Sequence, residues 1–241
     1  MKVITWNCNL KFKEKFELID GYDPDICFIQ ECEKLNSDYF PNYKYFWTGR
    51  NEKKGLGILT RNDNFFIDES HDKNLINFLP IKSEKIKLLG VWAYNHRASR
   101  FGSEVSGNTI DAIKFYKAWL GVNDKKCIVA GDFNNSVIWD KKGNNNNFKN
   151  INAHLKDLGF VSNYHHLKKE PFGKESSATL FHTKNESKRY HIDYIYSKNL
   201  KPMELEVGPY SEWISYSDHS PVIVRIEDMA KSTADSYDLE I

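Results

Sequence analysis

No apolar run in the 241-residue chain approaches the roughly 18 residues needed to cross a bilayer, which excludes a membrane-spanning helix and any membrane partner built on one. The start, MKVITWN, reads as a strand from residue 2 and has no charged segment leading into an apolar stretch, so no secretion signal is expected. Cysteine is scarce. Cys8, Cys27, Cys32 and Cys127 form no CxxC pair and stand in no His-rich zinc spacing, so neither a disulfide framework nor a zinc ribbon is indicated. Two of them lie in apolar runs, where a packed, reduced thiol is the simple reading, and a reducing cytoplasm is the expected compartment. Charge of one sign is also lacking: 34 Lys and Arg against 33 Asp and Glu leave a net charge of +1. The chain therefore has no global electrostatic attraction for a polyanion, and any nucleic acid must be met locally. No internal repeat is present, which removes solenoids and propellers.

What the chain does have is material for a core. Its 40% apolar and 14% aromatic content can fill a sizeable interior, and two-sheet architectures of this length commonly form one domain. Short apolar runs predict strands over 2–6, 26–29, 57–60, 86–93, 127–130, 190–196 and 221–226. Apolar residues at three- and four-residue spacing predict helices over 12–19, 109–120 and 150–158, the last stopped by Gly159. The mixture is α/β or α+β. Polar segments over 97–109 and 141–147, the latter carrying GNNNN, read as surface loops rather than linkers. One domain over 1–227 is expected, followed by a frayed tail over 228–241 whose YDLEI end offers a docking site for a protein partner.

A metal phosphoesterase needs oxygen ligands fixed at strand ends and converging on one cleft. Five places in the chain offer them: TWN with Asn7, FIQE with Glu31, GDFN with Asp132 and Asn134, HIDYI with Asp193, and SDHSP with Asp218 and His219. Each has a plain structural explanation by itself. Asn7 could be a turn residue, Glu31 a solvated loop start, Asp193 a solvent-facing strand residue and Asp218-His219 a turn or cap. Asp132 is the most pointed, because Gly131 permits close backbone approach and Asp132-x-Asn134 puts two polar groups on one strand face.

In order and spacing, the five motifs resemble the endonuclease/exonuclease/phosphatase superfamily of metal-dependent phosphoesterases, over 2–225. The resemblance implies a four-layer α/β sandwich, deoxyribonuclease-like, with two packed mixed β-sheets flanked by helices. It implies that Glu31 binds a Mg²⁺ or Mn²⁺ ion, with Asn7 beside it and Asp218 as a further oxygen. Asp132 would orient or deprotonate the attacking water, Asn134 would hydrogen-bond the nucleophile and a phosphate oxygen, and His219 would be oriented by Asp193. Tyr94 falls where family nucleases place a group on the phosphate, and His96 and Arg97 follow it; packing on the sheet and a solvated loop explain these three equally well. Thr179 matches a family threonine near the cleft, although a β-branched strand residue needs no such role.

Two departures narrow the reading. Asn9 stands where abasic-site endonucleases carry an aspartate, and KNESKRYHID before Asp193 lacks their lead-in, so a repair role is unsupported. Arg97, Arg100, Lys141, Lys142, Lys168, Lys169, Lys188 and Arg189 fall in loops expected to rim the cleft, with Phe101, Trp139, His165 and His166 available for stacking. The expected activity is phosphodiester hydrolysis in DNA or RNA. The alternatives are a phosphatase or phosphodiesterase for a small nucleotide and, in a different class, a pure binding module.

Overall fold

The computed structural model describes residues 1–61, 64–93 and 108–229. Its first half runs β1 (Lys2–Asn7), α1 (Phe12–Asp20), β2 (Ile26–Cys32), β3 (Lys44–Asn51), β4 (Lys54–Thr60), β5 (Phe66–Ile67), β6 (Phe78–Lys82) and β7 (Ile86–Trp92). Then come α2 (Thr109–Phe115), α3 (Lys117–Leu120), β8 (Lys126–Asp132), α4 (Phe148–Asp157), β9 (Val161–Ser162) and α5 (Asn163–Lys168). The chain continues through β10 (Leu180–Phe181), β11 (Arg189–Tyr190), β12 (Asp193–Lys198), β13 (Leu200–Val207), α6 (Tyr210–Trp213) and β14 (Val222–Asp228). No helix among the described residues is long and apolar enough to cross a membrane.

Two six-stranded mixed sheets organise the molecule, ordered β13-β14-β1-β2-β4-β3 and β5-β6-β7-β8-β12-β9. Strand period explains how they stack. Val3, Phe28, Leu56, Ile58, Val222 and Val224 of the first sheet share one buried cluster with Leu79, Ile81, Leu88, Ile128, Ala130 and Ile195 of the second. The alternate residues point outward. Ile4, Trp6, Cys27, Ile29 and Leu59 pack beneath Phe12 and Ile19 of α1, while Leu89, Val91, Val129 and Tyr194 pack beneath α2 and α4. Three apolar clusters between four layers make the four-layer α/β sandwich that the resemblance implies. All four cysteines are free and buried, divided among these clusters and not paired.

Several expected elements are longer, shorter or divided, each for a local reason. The strand expected over 190–196 breaks after Tyr190, because the amides of Ile192 and Asp193 donate to the Thr179 hydroxyl at 3.0 and 3.1 Å instead of to a ladder. The helix expected over 109–120 divides at Tyr116 (φ −80, ψ 4). Helix α4 starts two residues earlier than expected, at Phe148, because the distant Asp140 carboxylate accepts from the Phe148 and Lys149 amides at 2.6 and 3.1 Å. Strands β6 and β13 carry Pro80 and Pro202, which as strand breakers hide them from a reading by pattern.

Gly131 is the one glycine on which the site depends. Its φ is +147°, and a Cβ there would lie 1.8 Å from the Val91 carbonyl oxygen on the neighbouring parallel strand. Gly131→Ala is expected to destabilise the fold by more than about 3 kcal/mol, a backbone clash rather than a packing defect. The urea midpoint checks this; a shift worth less than about 1 kcal/mol would show that β7 and β8 can separate freely.

Candidate active site

Sheet register brings the sequence motifs to one end of the sandwich. β1 and β2 run parallel and contribute their C-terminal ends, while β14 is antiparallel to β1 and contributes the residues before its start. In the second sheet β8 contributes its end and antiparallel β12 its beginning, with Asp193 opposite Asp132 in register. Parity does the rest. Asn7 continues the inward face of Val3 and Thr5, Asp132 that of Ile128 and Ala130, and Asp193 that of Ile195. Where the apolar filling stops, the Asn7 amide crosses between the sheets and donates to Asp132 Oδ2 at 3.1 Å.

Glu31 reaches this end by a different device. By simple alternation it would point outward with Ile29, but the register of β2 against β4 shifts between Gln30 and Cys32, and Glu31 takes a left-handed φ of 62°. A bulge of this kind re-aims one side chain. The adjoining turn is equally unusual: Asn9, Leu10 and Lys11 have φ of 50°, 69° and 54°, and the Leu10 amide donates to the Glu31 carbonyl at 3.2 Å. Strain of this sort costs energy that the surrounding packing must offset, and it concentrates at functional sites. Lys54 Nζ lies 2.8 Å from Glu31 Oε2.

Asp132 is fully buried and multiply held. Its Oδ1 accepts from the Asn134 backbone amide at 2.7 Å, which requires Asn134 to turn back with φ 48°. Burial, and then the negative charge of Asp193, push its carboxyl up to about 7, against the pull of the His219 cation and the Asn7 amide. His219 is the counterpart. Burial alone would lower its imidazole, but the Asp193 carboxylate, 2.9 Å from Nδ1, outweighs this and lifts it to about 10. Near neutral pH the imidazole is thus a cation between two acids, and the ligand atoms of Asp132, Asp193 and His219 all lie within 4.8 Å of one another.

The His219 backbone is fixed as firmly as its ring. Its carbonyl accepts from the Trp6 indole at 2.9 Å and its amide donates to Ser217 Oγ at 3.0 Å, while the Ser217 hydroxyl donates to the Asn7 carbonyl at 2.7 Å. Thr179 binds the other side: besides holding the start of β12, its carbonyl accepts from the Ser220 amide at 2.8 Å. Trp6 and Ser217 are positioning residues that a reading of the sequence missed. Both flank motif residues, but only the fold reveals which backbone atoms they reach.

The family model described as Endonuclease/Exonuclease/phosphatase family matches residues 4–219, a span that contains this whole constellation. The chain belongs to that family. It is accordingly a hydrolytic phosphoesterase. Among curated proteins no sequence matches it. Among solved structures it is similar to a 3' phosphatase, NExo, from Neisseria bound to a product DNA hairpin, with TM-score 0.68 and 18% identity over 94% of this chain and 99% of that one. It is also similar to the 3'-5' exonuclease NExo from Neisseria meningitidis, with TM-score 0.66 and 18% identity over 95% and 100%. An AP endonuclease from Archaeoglobus fulgidus gives TM-score 0.66 and 15% identity over 95% and 100%. At these identities the likeness is one of fold.

A divalent cation implied by the family must find oxygen donors here, and it can. Glu31 supplies a carboxylate on which a cation, the Lys54 ammonium, already rests, and at the adjoining strand end the Asn7 amide oxygen, which accepts from the Asn9 amide at 3.1 Å, has a second lone pair to offer. Asp132, Asp193 and His219 are the weaker candidates for holding a metal despite their proximity, because His219 Nδ1 is occupied by Asp193 and both Asp132 oxygens accept hydrogen bonds. Asp218 is half-buried beside His219, and its negative charge helps raise the imidazole.

The remaining expectations divide. Tyr94, His96, Arg97, Arg100 and Phe101 lie outside the described residues, as does the tail from residue 230. Trp139 lines a cleft next to Asn134. His165 is not the exposed stacking residue expected: its ring packs on Phe172 at 3.5 Å, and its nitrogens engage Ser162 and Glu175 at 2.7 and 3.1 Å. The 141–147 loop is less loose than its composition suggests. Asn147 both accepts from the Lys141 amide and donates to its carbonyl, at 2.9 and 2.7 Å, and Asn146 and Asn147 are buried.

Proposed function

We propose that this family member is a divalent-metal-dependent nuclease whose catalytic unit spans 1–227, cleaving a P–O bond in DNA or RNA by direct attack of water. The observation that carries the reading is the crossing from Asn7 in one sheet to Asp132 in the other, facing the His219–Asp193 pair. Asp132 and Asn134 form a patch of hydrogen-bond acceptor and donor suited to orienting a water, and a carboxyl raised toward neutrality suits a proton acceptor. His219, held as a cation in a desolvated setting, stabilises the negative charge that develops on phosphate oxygens. Glu31 and Asn7, with Asp218 as a further oxygen, would hold Mg²⁺ or Mn²⁺, which supplies Lewis-acid neutralisation of phosphate charge.

The nucleic-acid substrate is supported by the family and by the descriptions of the structural neighbours, two of which name nuclease activities and one a bound DNA product. The test is a panel of single- and double-stranded DNA, RNA, cyclic nucleotides and mononucleotides, incubated with Mg²⁺ or Mn²⁺. Polynucleotide cleavage abolished by chelator is the expected result. Cleavage indifferent to chelator, or confined to the small molecules, would overturn it.

Lys54 gives a second check. If Glu31 holds the metal, the ammonium competes for the same carboxylate, so Lys54→Met should tighten Mn²⁺ binding by about two- to fivefold. Isothermal titration calorimetry reads this without turnover, and weaker binding in the variant would count against Glu31 as the ligand.

A further inference from the structure

The ladder between β1 and β14 ends with Thr5 opposite Val222, short of the residues that do the chemistry. Beyond it, side chains must hold the end of β1 against the segment that carries Asp218 and His219. Trp6 and Ser217 supply two such links, and Lys15 of α1 supplies a third. Helix α1 turns Phe12, Phe16 and Ile19 toward the first sheet, and Lys15 stands at the i+3 place of that stripe, where an apolar residue is the rule. A lysine at such an edge ordinarily runs its stem over apolar surface and lifts its ammonium into water. Lys15 does the opposite. Its Nζ donates to the carbonyls of Cys8 at 2.6 Å, Asn9 at 3.3 Å and Tyr216 at 2.7 Å, and lies 6.0 Å from the centroid of the Trp6 ring. An ammonium has three protons, and three carbonyls take them all. Burial lowers its pKa from the ordinary lysine value, so the charge has exchanged water for these acceptors.

We propose that Lys15 is a positioning residue of the active centre, its ammonium serving as a built-in cation that fixes the turn after Asn7 against the segment bearing Asp218 and His219. The proposal rests on the roles given to those residues in the reading above, and adds to them a group that touches neither metal nor substrate.

The turn that Lys15 grips is a strained one. Asn9, Leu10 and Lys11 are all left-handed, so this stretch keeps its shape only through what surrounds it. Carbonyl oxygens from two segments that face one point repel each other unless a positive charge stands between them. Lys184 is no substitute, since its Nζ reaches only the Ser215 carbonyl, at 3.5 Å. The helix that carries Lys15 is itself anchored: Glu33, two residues beyond Glu31, accepts from the Phe12 and Lys13 amides at 2.7 and 3.0 Å. One helix thus joins the segments bearing Glu31, Asn7 and His219, and Lys15 is its reach to the last.

The experiment compares the full-length wild type with Lys15→Ala and Lys15→Met. Hydrolysis of bis(p-nitrophenyl) phosphate with Mn²⁺ gives kcat and KM. In the metal-free protein the NMR signal of the Trp6 indole N–H, assigned through Trp6→Phe, reports its bond to the His219 carbonyl. In both variants kcat should fall by about 10- to 100-fold while KM changes by less than about threefold, the pattern of displaced groups, and the indole signal should move. Propylammonium replaces the atoms that alanine lacks. It should raise the turnover of Lys15→Ala by at least about fivefold and return the indole signal, whereas tetramethylammonium, a cation without N–H donors, should do neither. Turnover of Lys15→Met equal to wild type, an unmoved indole signal, or equal effects of the two cations would overturn the proposal. Should Lys15→Ala fail to fold in a urea titration, Lys15→Met keeps the packing stem and carries the comparison of turnover and signal. A wild type inert toward the phosphodiester, with the indole response intact, would defeat the reading of the site and leave the Lys15 link standing; an active wild type without that response would do the reverse.

Discussion

Asp193→Asn is expected to reduce phosphodiester turnover on the order of 10³-fold while leaving the fold intact. The reason lies in the balance at His219. Burial acts to lower the imidazole below its ordinary value, and the Asp193 carboxylate at 2.9 Å, helped by Asp132 and Asp218, reverses this. An amide keeps a hydrogen-bonding shape but removes the nearest charge, so burial regains the upper hand and the imidazole is neutral at pH 7. NMR titration of the His219 ring protons reads the change directly. In the wild type the imidazole should stay charged well above pH 8; in the variant it should titrate below its ordinary value near 6.5. A variant His219 still charged at pH 8 would show that Asp193 is not what holds the cation.

The sign of the stability effect follows. In the wild type the folded value of His219 is raised, so its stabilising contribution is complete below about pH 6.5 and is lost as pH rises toward about 10. In the variant the folded value is depressed, so the contribution is present above that ordinary value and lost as pH falls. Thermal midpoints of the two proteins should therefore converge or cross with rising pH rather than run parallel.

Asp132→Asn should separate activity from stability more sharply. Hydrolysis should fall by about 10³-fold or more, because an amide cannot take the proton of an attacking water. The fold should nevertheless gain stability relative to wild type as pH rises. Asp132 has a raised folded value, so in the wild type stability is present below the ordinary carboxylate range, near 4, and is lost as pH climbs through about 7. An asparagine carries no such cost. The measurement is the thermal midpoint at pH 5 and pH 8, the variant's advantage being larger at pH 8. An advantage that shrinks with pH would mean that Asp132 is ionised without strain and that its burial is compensated by the network around it. This is the expected conflict between a site arranged for chemistry and a chain arranged for stability.

How far the site was legible depends on the residue. Asp132, Asn134, Asp193 and His219 stand in short motifs whose neighbours are strand-forming, but strand period leaves open which face Asp132 and Asp193 occupy, and Asp193 could equally face solvent until β12 is paired with β8. Glu31 was legible as a motif residue but not as a position, since alternation points it outward and only the structure shows the bulge at which it meets Lys54. Ser217 and Trp6 act through backbone atoms 210 and 213 residues away in sequence, which no local pattern encodes. His165 was misread for a related reason: a histidine in a polar stretch looks exposed until Phe172 and Glu175 are brought against it.

The sequence by itself determined the strands that carry the functional motifs and the order of those motifs, because helix and strand periods and short-range turn chemistry are local properties of the chain; the proline-bearing β6 and β13 and the bulge at Glu31 lay beyond it. Only the tertiary structure decided that Asn7 meets Asp132 across two sheets, that Asp193 lies within reach of His219, and that Lys15 reaches the Tyr216 carbonyl. Those contacts depend on sheet order and register, and these are set by the packing of many distant apolar side chains against one another rather than by any residue near the site.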